Sequence, residues 1–156
     1  MTTIASQRAR LTDALAESRD KLRGAVDALT DEQLREPAID EWSVKDLLAH
    51  VASWDELVGG DLLRLQRGHA PYLGAFMYEK IDQYNDVVMA GRKAWELPQV
   101  RHELDASRAA LLSSLPGLRE GSFVEGQAGA TFLSLLAKHE SDHAAAITEW
   151  RSKRGG

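Results

Sequence analysis

The run Trp42-Ser43-Val44-Lys45-Asp46-Leu47-Leu48-Ala49-His50-Val51-Ala52-Ser53-Trp54 supplies both a helix start and a helix face. Ser43 with Asp46 has the form of a capping box, Asp standing where Glu is usual, and Trp42 before the cap can staple onto Leu47. From there Val44, Leu47, Leu48, Val51, Trp54, Val58, Leu62 and Leu65 recur at helical spacing toward about Gln66. Gly59-Gly60 interrupts the stripe and is expected to bend the helix or admit a close neighbour. A helix this long with one apolar face must bury it against other elements.

Working outward, the segment before it carries Ile4, Leu11, Leu15, Leu22, Val26 and Leu29 on one stripe, which predicts a helix over about 4–29. Thr30 to Glu41 reads as a linker, with Pro37 pushing Glu36 out of helical space. Beyond Gly68 and Pro71 a shorter helical stretch is expected between Phe76 and about Trp95, with Phe76, Ile81, Tyr84, Val87 and Val88 inward. Pro98 introduces a helix over 99–115 whose core positions are Val100, Leu104, Leu111, Leu112 and Leu115. Residues 117–127 are glycine-rich and read as a loop. The last helix is expected over about 128–150, with Phe132, Leu135, Leu136, Ala146, Ile147 and Trp150 along one side. No segment alternates long enough for a strand. The fold class is therefore all-α: a four-helix bundle with a long crossover over 67–97, containing a short helix, between the second and third principal helices. Residues 1–156 are expected to form a single such domain.

Composition narrows the function classes. Apolar residues make up 44% and charged residues 28% of the 156, which is globular, and the formal charge is −5. Without a basic tract beyond Arg151-Ser152-Lys153-Arg154, read as a frayed helix end, no nucleic-acid or membrane partner is expected. The absence of cysteine excludes thiolate ligands and disulfides, so any thiol must come from outside. No signal-peptide pattern and no long apolar run is present, which predicts a cytoplasmic protein.

Three of the five histidines fall on inward stripes. His50 lies among Leu47, Val51 and Trp54, while His139 and His143 form an i,i+4 pair on one face of the last helix. Such imidazoles need partners: either carbonyls and waters, or a shared transition metal with positions left open for water or substrate. His69 and His102 lie outside this pattern. His139-Glu140-Ser141-Asp142-His143 is formally H-E-x-x-H, but the metalloprotease form also needs a downstream ligand and a strand-bearing domain. Glu140 is accordingly expected to point sideways, solvated or accepting from an imidazole N–H.

The run from Trp42 to His50, then Trp54, and the segment His139–His143 resemble the DinB-like (YfiT-like) four-helix bundle family of metal-dependent enzymes, over nearly the whole length to Trp150. The resemblance implies that His50, His139 and His143 jointly bind a divalent metal, often nickel or zinc. It implies a metal-dependent hydrolase, or a transferase or isomerase using an external low-molecular-weight thiol, acting on a small electrophilic substrate. Relatives often follow the last histidine with His-Arg-Gly-Gln, where this chain has Ala144-Ala145-Ala146-Ile147. Ile81-Asp82-Gln83-Tyr84-Asn85, with Trp95 and the 111–115 segment, is more similar to the ClbS/DfsB branch, which includes a self-resistance protein and members lacking the full triad. The alternative is a non-catalytic bundle that sequesters a small molecule.

Polarity and position make Trp54 and Tyr84 candidates for the mouth of such a site, and Asn85, Asp82 or Asp86 candidates to orient a nucleophile. The resemblance also implies a homodimer, for which Met77, Met89 and the leucines of the 97–115 helix offer candidate surface.

Overall fold

Thr3 caps α1 (Ile4–Val26), its hydroxyl accepting from the Ser6 N–H at 3.1 Å, and so satisfies one of the free donors that begin any helix. The computed structural model describes residues 3–75 and 78–154; the expectations for Phe76 and Met77 fall outside them. The 30–41 stretch, expected as a linker, is ordered. Thr30 and Gln33 make a reciprocal capping box that starts α2 (Asp31–Arg35). Glu36 is extended before Pro37, as proline demands. Then β1 (Pro37–Ile39) pairs antiparallel with β2 (Trp42–Ser43), turning at Asp40, whose φ of 55° is left-handed. This hairpin delivers Trp42 to the bundle.

The capping box expected at Ser43 is present: Asp46 N–H donates to Ser43 Oγ and Ser43 N–H to Asp46 Oδ2, both at 3.1 Å. From it α3 (Val44–Gln66) runs helical through Gly59-Gly60. A Cβ on Gly59 would meet Leu111 only at ordinary contact distance, and one on Gly60 would meet nothing, so no unusually close neighbour requires these glycines. The chain turns at Gly68, and Asp61 of α3 accepts from the Tyr72 and Leu73 N–H groups, pinning the short α4 (Tyr72–Ala75).

The crossover continues through a 3₁₀ turn at Tyr78–Lys80 into α5 (Ile81–Arg92), shorter than expected, which packs chiefly on α3. Its facing differs from the expectation. Val87 is 70% exposed, whereas Met89, expected at the surface, is 2% exposed within the core. Pro98 falls in the first turn of α6 (Leu97–Ser114), and the 117–127 loop contains a 3₁₀ turn at Glu120–Phe123 that buries Phe123. Finally α7 (Ala128–Lys153) runs past Trp150, and Arg151 donates to the Ala25 carbonyl rather than fraying. Leu112 and Leu135, expected inside, are exposed.

The result is an all-α four-helix bundle of α1, α3, α6 and α7 with the crossover between α3 and α6. Contacts are most extensive within two pairs, α1 with α7 and α3 with α6; α3 meets α7 along a thinner seam. Two apolar clusters fill the interior. One holds Leu22, Val51, Leu104 and Ala144, the other Leu15, Val58, Leu111 and Leu136. Among the described residues no helix is long and apolar enough to cross a membrane.

Candidate metal centre

His50 is carried by α3 one turn before Trp54, and His139 and His143 by successive turns of α7, so the three rings meet across the α3–α7 seam. His139 Nε2 lies 3.0 Å from His50 Nε2 and 3.0 Å from His143 Nε2, and one ligand nitrogen from each ring falls within 4.8 Å of the others. Ring centroids are 4.5 to 5.1 Å apart, with interplanar angles of 66° to 89°. The three histidines singled out in the sequence are thus brought together; His69 and His102 are exposed elsewhere.

The donor set fits a divalent transition metal. A single imidazole nitrogen carries either a proton or a lone pair, so His139 Nε2 cannot make two full hydrogen bonds to two other ring nitrogens. Three lone pairs aimed at one cation resolve the conflict, and ligands about 2.1 Å from an ion stand about 3.0 Å apart at right angles and about 3.4 Å apart in a tetrahedron. Burial keeps the rings in the required neutral form. Burial, then the His139 and His143 rings, hold His50 down at about 3. Burial, with His143 adding and Asp142 opposing, brings His139 to about 4. Burial lowers His143 too, again against Asp142.

Ring orientation comes from packing. The Nδ1 atoms of His50 and His139 are buried without a hydrogen-bond partner among the described residues, so none of these steers either ring through its second nitrogen. Instead Trp42 meets His50 edge-on at 5.1 Å, and Trp54 lies tilted over His139 at 4.8 Å. The Trp54 indole N–H donates to Asn85 Oδ1 at 3.1 Å, which ties α5 to the site. Because an indole can only donate, this bond fixes which way the carboxamide faces and leaves the Asn85 NH₂ free of the indole. Tyr84 is half-buried, its pKa raised by burial against Arg92, while Asp82 and Asp86 are exposed.

Glu140 does not fill the role expected of it. It is 0% exposed and turned away from the histidines into a buried ionic lattice. Arg19 Nε donates to Glu140 Oε2 at 3.0 Å and Arg19 Nη2 to Asp55 Oδ2 at 2.9 Å. Arg108 Nη2 reaches Asp55 Oδ1 at 3.3 Å and Glu140 Oε2 at 3.1 Å, and Ser18 Oγ donates to Glu140 Oε1 at 2.7 Å. Burial pushes the Asp55 carboxyl above its ordinary value, against the opposing pull of Arg108 and Arg19. With its carboxylate held this way, Glu140 is no metalloprotease base. The sequence reading missed Arg19, Asp55 and Arg108. Their signal is positional: each interrupts an apolar stripe, Arg19 between Leu15 and Leu22, Asp55 between Val51 and Val58, Arg108 between Leu104 and Leu111.

The family model described as the DinB superfamily matches residues 14–147. No curated protein and no solved structure matches the chain. The matched span takes in most of the chain, from α1 through the histidines of α7, and the chain therefore belongs to the DinB superfamily.

Proposed function

We propose that this protein is a metal-dependent enzyme acting on a small electrophilic molecule, with nickel or zinc held by His50, His139 and His143. The observation that carries the reading is the convergence of three Nε2 atoms from two helices, two of the separations being 3.0 Å. A divalent cation bound there supplies a Lewis acid that acidifies a water or thiol and polarises the electrophile, giving hydrolysis, or thiol transfer or isomerisation with an external low-molecular-weight thiol. The chain's own residues set the surroundings. Trp54 shields His139 from solvent, and the Asn85 NH₂ is available to a substrate oxygen once its carbonyl is committed to the indole. The likeness of Ile81–Asn85 to the ClbS/DfsB branch supports a protective role against a reactive compound.

The purified protein should take up about one divalent ion per chain, and His50→Ala or His143→Ala should abolish uptake. Elemental analysis and calorimetric titration with nickel and zinc read this directly; wild-type protein that takes up neither ion refutes the proposal. Stoichiometric capture of an electrophile without turnover would replace the enzyme with a sequestering protein.

A further inference from the structure

The ionic lattice and the histidine triad span the same division of the bundle. The helices form two intimate pairs, α1 with α7 and α3 with α6, and the triad joins His50 of one pair to His139 and His143 of the other. Two of the four ion pairs cross that division, Arg19 to Asp55 and Arg108 to Glu140. Two further bonds cross it, since Arg19 Nη1 donates to the Leu104 carbonyl and Arg108 Nη1 to the Leu15 carbonyl. The lattice also sits level with the triad. Glu140 adjoins His139 in sequence, Asp55 adjoins Trp54, and all four charges lie where one apolar cluster gives way to the other. Leucine and valine contacts are non-directional and by themselves prescribe no fixed angle between polar groups on neighbouring helices. A planar guanidinium fork holding two carboxylates from different helices does prescribe one.

We infer that Arg19, Asp55, Arg108 and Glu140 are positioning residues for the metal centre: they fix how the α1–α7 pair is set against the α3–α6 pair, and so hold His139 and His143 at ligating distance from His50. The inference rests on the metal-site reading above. It assigns to the lattice a job that no partner on Nδ1 performs, because the buried Nδ1 atoms of His50 and His139 have none among the described residues.

The test compares wild type with Ser18→Ala, Glu140→Gln and the charge-free quadruple variant R19M/D55L/R108M/E140L, each as the full chain. Zinc affinity is measured by competition titration, and the visible absorption of the cobalt(II)-loaded protein reports coordination geometry. Leu62→Ala, about three turns from His50 along α3, serves as a control that destabilises without touching the lattice. The lattice variants should bind zinc on the order of 10–100-fold more weakly, the range for lost support around ligands, with a shifted cobalt spectrum. Ser18→Ala should move the same way by less, and Leu62→Ala should keep the wild-type spectrum. A variant that folds only when zinc is present is decided by its cobalt spectrum: a shifted spectrum supports the inference, and a wild-type spectrum overturns it, since zinc rescues any destabilised fold by mass action. Lattice variants with wild-type affinity and spectrum overturn it, as does Leu62→Ala shifting the spectrum equally. Wild type that takes up no metal is a different result: the site reading itself then fails, and this inference with it.

Discussion

Arg108→Ala is expected to cost about 3–5 kcal/mol of folding stability, a large fraction of the roughly 5–15 kcal/mol that holds an ordinary domain folded. The substitution leaves Asp55 and Glu140, both 0% exposed, sharing the single guanidinium of Arg19. Two carboxylates desolvated against one cation must either carry an uncompensated charge or take up a proton, and each course weakens the fold. Lost methylene packing and the lost bond to the Leu15 carbonyl act in the same direction. The charge-free quadruple variant should behave oppositely, staying as stable as wild type or exceeding it, because no ion is left without its partner. Urea midpoints with an unchanged m-value measure both. A loss below about 1 kcal/mol in Arg108→Ala would mean that the carboxylates are wetter than their burial implies.

The second large effect is on metal-free protein in mild acid. His50 and His139 have folded-state pKa values of about 3 and about 4, both below the ordinary 6.5. Lowered values mean that the unfolded chain binds protons the folded chain refuses. Their stability contribution is whole above 6.5 and is lost as pH falls toward the folded values. At pH 5 both rings remain neutral in the fold, so each has cost about 2 kcal/mol by then, or about 4 kcal/mol together. His143, also lowered, adds to the loss, whereas Asp55 offsets part of it because its raised pKa favours the fold in acid. Urea unfolding in the presence of a chelator at pH 7.5 and pH 5 should show the drop. Saturating zinc should largely remove it, since an occupied site keeps the imidazoles unprotonated and stabilises only the folded form. A chelated protein equally stable at both pH values would contradict the burial of these rings.

The four long helices are legible in the sequence because their signals are local. The Ser43–Asp46 cap, the stripe from Val44 to Leu62 and the i,i+4 pair His139–His143 can each be read within one segment. His50 is legible as a polar residue on an apolar stripe. The lattice is not, because its bonds join positions 36, 121 and 32 residues apart, and a single charge on a stripe resembles an interruption until its partners are known. Glu140 is misread for that reason: the H-E-x-x-H spelling draws attention to its neighbours in sequence, while its partners are Ser18, Arg19 and Arg108. The facing of α5 fails differently. A short helix resting chiefly on one neighbour needs only a narrow apolar strip, so Val87 can face out and Met89 in without violating the pattern. The hairpin, two to three residues a strand, is too short for alternation to register.

Because α5 leans chiefly on α3 and is tied to it by Met89 in the core, the Arg92–Ala49 bond and the Asn85–Trp54 bond, its exposed positions, Asp82, Asp86 and Val87 among them, can vary without disturbing the interior of the four long helices. Substitutions at those positions would change what docks beside the histidines without altering the helices that carry them. Amide hydrogen exchange should show the same partition as faster isotope uptake across 81–92 than across α3 or α7.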